Sequence, residues 1–560
     1  VTRWVRRSVL LRVDRGGVVA LRRWVALMSA LAGGLLLDAA TPGLAWWPLV
    51  FPAVALICAA VWQQPAAWAL LSGSAAGAAF WMPHISWLTL YLGPIPWAAL
   101  SSLMLLWFGL FGVLAATATR GLARFGSGTR TAGGDRRLAW AISAAQAVTV
   151  AGLWVLREQV QGAWPYGGFA WGRLATTQAD SPLLQSVSWL GFAGLGACIA
   201  VVCAFPVAVA FNRRSRSTEM SAAGSERRGL LRRPLMLSTG AGLALLVVLA
   251  LLPAAPLERT GTLRVAAVQG NSQSGIFDDR EAGGVIRDHF DATEQLLDQL
   301  EATGESVDVI VWPENSAEFG LPENVIRSQR LAKLSQRAGA PIVVGSVLAN
   351  PDGTYSNSSL VWQQDGPTGD RYDKRYPVPF AEYMPNRPFF HAIVPDLVDL
   401  VQLEYSPGSR PAALDVETPA GVVQAGIAIC FDIIFDPQAV EMVRDGAQVI
   451  FAQTNNADFG HTDESVQQLA IARTRAVETG RAVVNDSTVG TSAIIAPDGS
   501  DLARLRAFTA DAMVAEVPLV TGETPALRFG AAIVWVATGL GIAGLIAGIV
   551  GLGRPRRTLT

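Results

Sequence analysis

Lysine is almost absent from this chain of 560 residues: Lys333 and Lys374 are the two lysines among 44 basic residues, and the rest are arginine. Where arginine is the default cation, a lysine marks a place for a compact, titratable ammonium that a guanidinium cannot replace. Most lysines are solvated surface residues, and Lys333, in Leu331-Ala332-Lys333-Leu334, suits that reading better than Lys374. Cysteine is scarce too, with four in the chain. Cys58, Cys198 and Cys203 lie in apolar runs, where a thiol acts as a small hydrophobe. Cys430 alone lies in a water-compatible stretch, so no disulfide framework is expected there. That leaves Cys430 as core filler or reactive thiol. Four histidines (His84, His289, His391, His461) show no ligand spacing, so no metal site is expected. The net charge of −1 gives no support for a nucleic-acid partner.

What the chain has in plenty is apolar sequence: 51% of its residues are hydrophobic and 16% are charged. Stretches of bilayer-spanning length fall near 24–40, 46–62, 67–84, 96–118, 138–156, 185–211, 235–254 and 529–552. The third is interrupted by Pro83 and His84. Arginines precede the first, as in a signal peptide. No small-residue cleavage site follows, and Trp46-Trp47-Pro48 leads into another span, so it is read as retained. Arginines cluster before the first span (Arg3, Arg6, Arg7, Arg12, Arg15, Arg22, Arg23) and after the fourth (Arg120, Arg124, Arg130, Arg136, Arg137). They recur after the sixth (Arg213, Arg214, Arg216, Arg227, Arg228, Arg232, Arg233) and in the tail (Arg554, Arg556, Arg557). With eight spans all four clusters share one side, which the positive-inside rule makes cytoplasmic. The expected layout is a cytoplasmic arm at 1–23, a membrane domain at 24–254, an extracytoplasmic domain at 260–522, a last span at 529–552 and a cytoplasmic tail at 553–560.

The segment 260–522 alternates short apolar strands with amphipathic helices. Strands are expected at Val265–Val268, Val309–Trp312, Ile342–Gly345, 422–430, 448–453, 482–486 and 491–496. Helices are expected at 285–302, 323–338, 437–445 and 463–480. That alternation implies a layered α/β domain, in which ligands gather beyond the carboxyl ends of strands. Glu314 and Cys430 each close such a strand, and Lys374 precedes the segment Val378-Pro379-Phe380-Ala381-Glu382. A thiol nucleophile, a carboxylate to take its proton and an ammonium to stabilise negative charge make a coherent catalytic set. Taken singly, a loop Glu, a loop Lys and a strand-end Cys are each more often structural.

Val311-Trp312-Pro313-Glu314, Lys374 with Val378 through Glu382, and Ala428-Ile429-Cys430-Phe431-Asp432 together resemble the ordered motifs of the nitrilase superfamily. Their fusion to eight spans resembles the bacterial apolipoprotein N-acyltransferase family. Also similar are Gly43 through Trp46-Trp47-Pro48, and Arg157-Glu158, Gly162, Trp164, Gly168-Phe169 and Trp171 in an external loop. Val268-Gln269-Gly270-Asn271 and Asn455 through Gly460 resemble further family blocks. The resemblance implies a polytopic α-helical membrane domain plus a nitrilase-like layered αββα domain. It assigns Glu314 as general base, Lys374 as electrostatic stabiliser and Cys430 as nucleophile, with Glu382, Phe431 and Asp432 supporting them. The sequence departs from the family at Asp432, where a Glu is common, and at Phe277, where some members carry Trp. Asn456 and Asp458 stand where many members have Asp and Trp.

By the same resemblance, an acyl chain passes from a membrane phospholipid to Cys430. It then passes to the N-terminal amine of a diacylglyceryl-cysteine lipoprotein, with no cofactor. The alternative is a membrane-anchored amidase acting on small amides, since one triad serves both chemistries. A transporter would need ionisable residues along a path through the spans, and Asp38 and His84 both sit near span ends. The apolar segment 387–403 reads either as a helix packed on its own domain or as an amphipathic lid at the bilayer surface. Trp154, Trp164, Tyr166, Phe169 and Trp171 are expected to form an interfacial aromatic belt.

Overall fold

The structure, a computed structural model, describes residues 10–13, 18–125, 134–222, 232–272, 274–275 and 282–553. Phe277 and many of the arginines named above, among them Arg3, Arg130, Arg227 and Arg556, lie outside the described residues.

The apolar runs form helices. They are α1 (Arg23–Ala40), α2 (Val50–Val61), α3 (Ala66–His84), α5 (Pro94–Arg124), α6 (Gly134–Gln161), α7 (Val187–Ala222), α8 (Arg232–Ala250) and α15 (Pro525–Gly553), with the short α4 (Leu88–Leu92) between α3 and α5. Among the described residues, six of these are long and apolar enough to cross a membrane: α1, α5, α6, α7, α8 and α15. α2 with its leading 3-10 turn is shorter, and α3 continues through Pro83 to His84. α6 also runs further than the sequence suggests. Arg157 and Glu158 are helical and buried rather than in a loop, because Glu158 accepts from Trp154 Nε1 (2.9 Å) and the Leu174 amide (3.1 Å). This removes Trp154 from the expected belt; it and Trp171 are buried, whereas Trp164 is exposed.

Close approach of α15 to α5 and α6 depends on glycine. A Cβ on Gly121 would overlap the Gly548 carbonyl, and one on Gly152 would overlap the Ala537 carbonyl. Helices packed in lipid gain little from the hydrophobic effect, so small residues that let backbones meet supply the attraction.

Among the described residues, those between α8 and α15 build two six-stranded sheets. The first holds β3 (Glu258–Gln269), β4 (Val309–Val311), β5 (Ile342–Ala349), β6 (Tyr355–Gln363), β7 (Gly366–Asp373) and β14 (Asp511–Thr521), in the order β14-β3-β4-β5-β6-β7. The second holds β8 (Ala413–Thr418), β9 (Gly421–Ile429), β10 (Val449–Thr454), β11 (Val483–Ser487), β12 (Ala493–Ile495) and β13 (Asp501–Arg504), in the order β13-β12-β11-β10-β9-β8. β1 (Leu11–Val13) and β2 (Val19–Leu21) form a separate hairpin. Each large sheet has three parallel strands at its centre, β3-β4-β5 and β9-β10-β11. Alternation along the strands sends Val265 and Ala267 into the core between the sheets, and Ala266 and Val268 against helices. Those helices are α9 (Gly284–Thr303) and α10 (Val325–Ala338). α13 (Asp436–Arg444) and α14 (Glu464–Thr479) cover the second sheet. The result is a four-layer α/β sandwich.

The segment 387–403 is not one helix but two short ones, α11 (Arg387–His391) and α12 (Pro395–Val398). Pro395 has no N–H to continue a helix and starts a new one instead. Met384, Val398 and Val401 are buried beneath them, while Phe389, Ile393 and Leu400 are exposed.

The glycine contacts give a test. Gly121→Val should lower the melting temperature in detergent, by an overpacking cost of about 1–3 kcal/mol. Gly539→Ala, on the same α15 but with open space around it, should leave it unchanged. Equal tolerance of both would contradict this packing.

Candidate active site

β9 is apolar and buried up to Ile429, then turns sharply. Cys430 takes φ of +49°, a left-handed conformation that side-chain-bearing residues rarely adopt, and opens a 3-10 turn through Ile434. Such strain gathers where a side chain must be presented. Asp432 stabilises the turn. Its carboxylate accepts from the Ile429 amide (3.1 Å), the Tyr376 amide (2.9 Å) and the Tyr372 hydroxyl (2.7 Å). Tyr372 lies on β7, so this carboxylate ties the second sheet to the first. Burial raises the Asp432 pKa to about 6, against the Lys374 charge and the hydrogen bonds, which lower it. The Asp432 carboxylate thus reaches three donors. Phe431 packs between Phe169 (6.2 Å) and Phe435 (5.1 Å).

Glu314 follows β4 and is 4% exposed; Lys374 follows β7 and is 2% exposed. Lys374 Nζ lies 3.2 Å from Glu314 Oε1 and 2.9 Å from Glu382 Oε2. Glu382 is held in turn by the Val378 amide (2.6 Å). Asn357, on β6, donates to Glu314 (2.7 Å) and to Glu382 (3.0 Å), so one side-chain amide bridges both carboxylates. Burial alone would lower the Lys374 pKa; the charges of Glu314 and Glu382 overcome it and hold the ammonium well above the usual range. Burial raises the Glu314 pKa, with Lys374 opposing.

The Cys430 sulfur is half-buried and within the electrostatic field of this cluster. Burial, then Glu314, push its pKa up, and Lys374 pulls it down. The net shift is upward, so the resting group is a thiol. Gln468 Nε2 donates to the sulfur at 3.7 Å. Thus the structure brings together Glu314, Lys374, Glu382 and Cys430, with Asp432 and Phe431 at the turn itself. Lys333 is exposed on α10. Asn357, Tyr372, Gln468 and Glu464 are neighbours that sequence reasoning did not single out. Asn357 hides in the polar run Ser356-Asn357-Ser358-Ser359, which carries no strand signal although all four residues are buried.

The site lies against the helical region. Gln467 Oε1, one residue from Gln468, accepts from Trp87 (3.1 Å) and Trp171 (2.7 Å). Asp436 bridges Arg173 (2.6 Å) and Arg475 (2.8 Å). Burial would raise the Asp436 pKa, but the two guanidiniums reverse that and hold it well below the carboxylate range. Tyr166 packs on Phe380 and Phe390 (5.6 and 6.2 Å) and accepts from Asn386 (3.0 Å), joining the 162–173 loop to the segment before and in α11.

Comparison with known proteins gives matches over both parts of the chain. Residues 264–526 match the carbon-nitrogen hydrolase family, and residues 33–205 match the apolipoprotein N-acyltransferase N-terminal domain. An apolipoprotein N-acyltransferase of Mycolicibacterium smegmatis is 31% identical, over 98% of this chain and 89% of its own. Those of Geobacter metallireducens and Ralstonia nicotianae are each 27% identical, over 91% and 96% of this chain and 92% and 94% of theirs. The likeness to these relatives runs through both the helical region and the sandwich.

The buried charge cluster makes a stability prediction. Lys374→Met would leave two buried carboxylates without their cation, at a cost of about 3–5 kcal/mol. The deficit should depend on pH with a definite sign. Without the ammonium, the folded-state pKa of Glu314 rises further above its unfolded value. Stability is then retained below the unfolded pKa and lost as pH rises through the folded one. The melting temperature should therefore fall more at pH 8 than at pH 5, whereas Lys333→Met should be silent at both. A Lys374→Met deficit that is absent, or equal at both pH values, would contradict the pairing.

Proposed function

This chain belongs to the apolipoprotein N-acyltransferase family, and on that premise we propose that it moves a fatty acyl group from a membrane phospholipid, through a thioester on Cys430, to the N-terminal amine of a diacylglyceryl-cysteine lipoprotein. The observation that carries the reading is the pairing, in one chain, of membrane-length helices with a thiol backed by the buried Glu314–Lys374–Glu382 cluster.

The chemistry follows from the charges. The thiol is protonated at rest, so a base must take its proton as it attacks. Glu314 is that base. The sulfur bonds to the ester carbonyl carbon, and the negative charge that develops on the carbonyl oxygen is stabilised by Lys374. The carbon–oxygen ester bond breaks, and the proton returns from Glu314 to the departing lysophospholipid hydroxyl. In the second half-reaction the lipoprotein amine attacks the thioester carbon, Glu314 takes the amine proton and the sulfur leaves, reprotonated. Glu382 fixes Lys374, and Asp432 and Phe431 hold the turn.

Both substrates are lipids, so the site must open to a bilayer. We read the helical region as eight spans, adding α2 and α3 to the six longer helices, with segments 1–23 and 553–560 cytoplasmic. The sandwich at 260–522 is then extracytoplasmic, between the spans of 24–254 and 529–552, in the plasma membrane of a bacterium. The exposed Phe389, Ile393 and Leu400 supply an apolar surface that suits a lid at the lipid interface.

Mass spectrometry of lipoprotein amino termini tests the function. Cells with the protein should yield N-terminal cysteines carrying an amide-linked fatty acid. Cells without it, or with Cys430→Ala, should yield free amines. Free amines in all three, together with hydrolysis of small amides by the purified protein, would establish the amidase instead.

A further inference from the structure

A chain of side chains on α14 and the loops beside it ends on the Cys430 sulfur. The Gly490 backbone N–H donates to Ser487 Oγ (2.8 Å), and a backbone N–H cannot reverse that role. Ser487 Oγ donates to Asn456 Oδ1 (2.6 Å), which turns the Asn456 amide nitrogen the other way. That nitrogen donates to Glu464 Oε2 (2.7 Å) and to Gln468 Oε1 (2.8 Å). Gln468 Oε1 also accepts from Thr454 Oγ1 (2.8 Å). Two donors on its oxygen leave the Gln468 nitrogen facing the sulfur, at 3.7 Å. Asn456, Gln468, Glu464, Ser487 and Thr454 are all at least nine-tenths buried, so water does not compete for these bonds.

We propose that Gln468 is a further catalytic residue, whose amide N–H stabilises the Cys430 thiolate, and that Asn456 is the positioning residue that sets the direction of that amide. The assignment rests on Cys430 as the nucleophile. A donor aimed at sulfur favours the anionic form, both when the thiol attacks and when it leaves the thioester. Successive hydrogen bonds in a dry chain polarise one another in the same direction. Asn456 holds this arrangement by donating to Gln468 Oε1. A carboxylate there could not donate to Gln468 Oε1, which would lose one of its two donors.

Alkylation of Cys430 by iodoacetamide across pH, read by mass on its own peptide, tests the proposal without any acyl substrate. A failure here is thereby distinguishable from a failure of the acyltransferase reading. The charged groups acting on the sulfur are Glu314, Lys374, Glu464 and Glu382, and Gln468→Leu alters none of them. Gln468→Leu should move the alkylation profile to higher pH, with a rate near neutrality about 10-fold lower, equivalent to about one pKa unit. Its kcat should fall while KM for phospholipid holds. Asn456→Leu, which removes the donor to Gln468 without adding charge, should shift the profile in the same direction. A folded Gln468→Leu with the wild-type profile would overturn the proposal. Should that variant fail to fold, a folded Asn456→Leu with the wild-type profile overturns it equally.

Discussion

An ammonium taken out of water costs several kcal/mol unless its new surroundings carry opposite charge, and Lys374 is almost fully out of water. Glu314 and Glu382 supply that charge within 3.2 Å, and Asn357 spans the two carboxylates. The cluster constrains much else. It requires β4, β6 and β7 to end or pass at the same level of the first sheet. The segment after Lys374 must also fold back so that Glu382, held by the Val378 amide, meets the ammonium it follows by eight residues. A charged set that is costly to break is also difficult to displace, which is what a reacting sulfur beside it needs.

The second sheet meets this cluster through one strained residue and one carboxylate. Asp432 draws the Cys430 turn onto β7 through Tyr372, while Gln468 reaches the sulfur from α14. The same α14 carries Gln467 and Arg475, which engage Trp87, Trp171 and, through Asp436, Arg173. The donor to the Cys430 sulfur and the contacts to the helical region therefore share one helix. A displacement of α14 relative to the spans would change the surroundings of the sulfur.

The apolar runs, the central parallel strands and the strand ends at Glu314 and Cys430 were legible because each rests on a local pattern, length or periodicity. Two strands of the first sheet, β6 and β14, were not. β6 is built on buried Ser356, Asn357, Ser358 and Ser359, residues with little strand preference; its ladders to β5 and β7 decide the matter. β14 pairs along β3 at a separation in sequence that no local window spans. Arg157 and Glu158 looked like loop residues because charge usually ends a span, yet their mutual pairing allows α6 to continue. Asn357 and Gln468 were invisible for a related reason: an amide acquires a role from what faces it across the fold. Asn456 did stand out, as a departure from a family pattern, but its meaning depends on Gln468 and Ser487.

At the centre of this account is a thiol that is protonated at rest, activated by a buried carboxylate–ammonium pair, and that carries the acyl group covalently. Intact-mass analysis of the purified protein after incubation with phospholipid, without an acceptor amine, tests it most directly. The account predicts one added acyl mass, mapped to Cys430, released by hydroxylamine and absent from Cys430→Ala. An adduct that persists in Cys430→Ala, or acyl transfer to acceptor with no adduct on the wild-type chain, would contradict it.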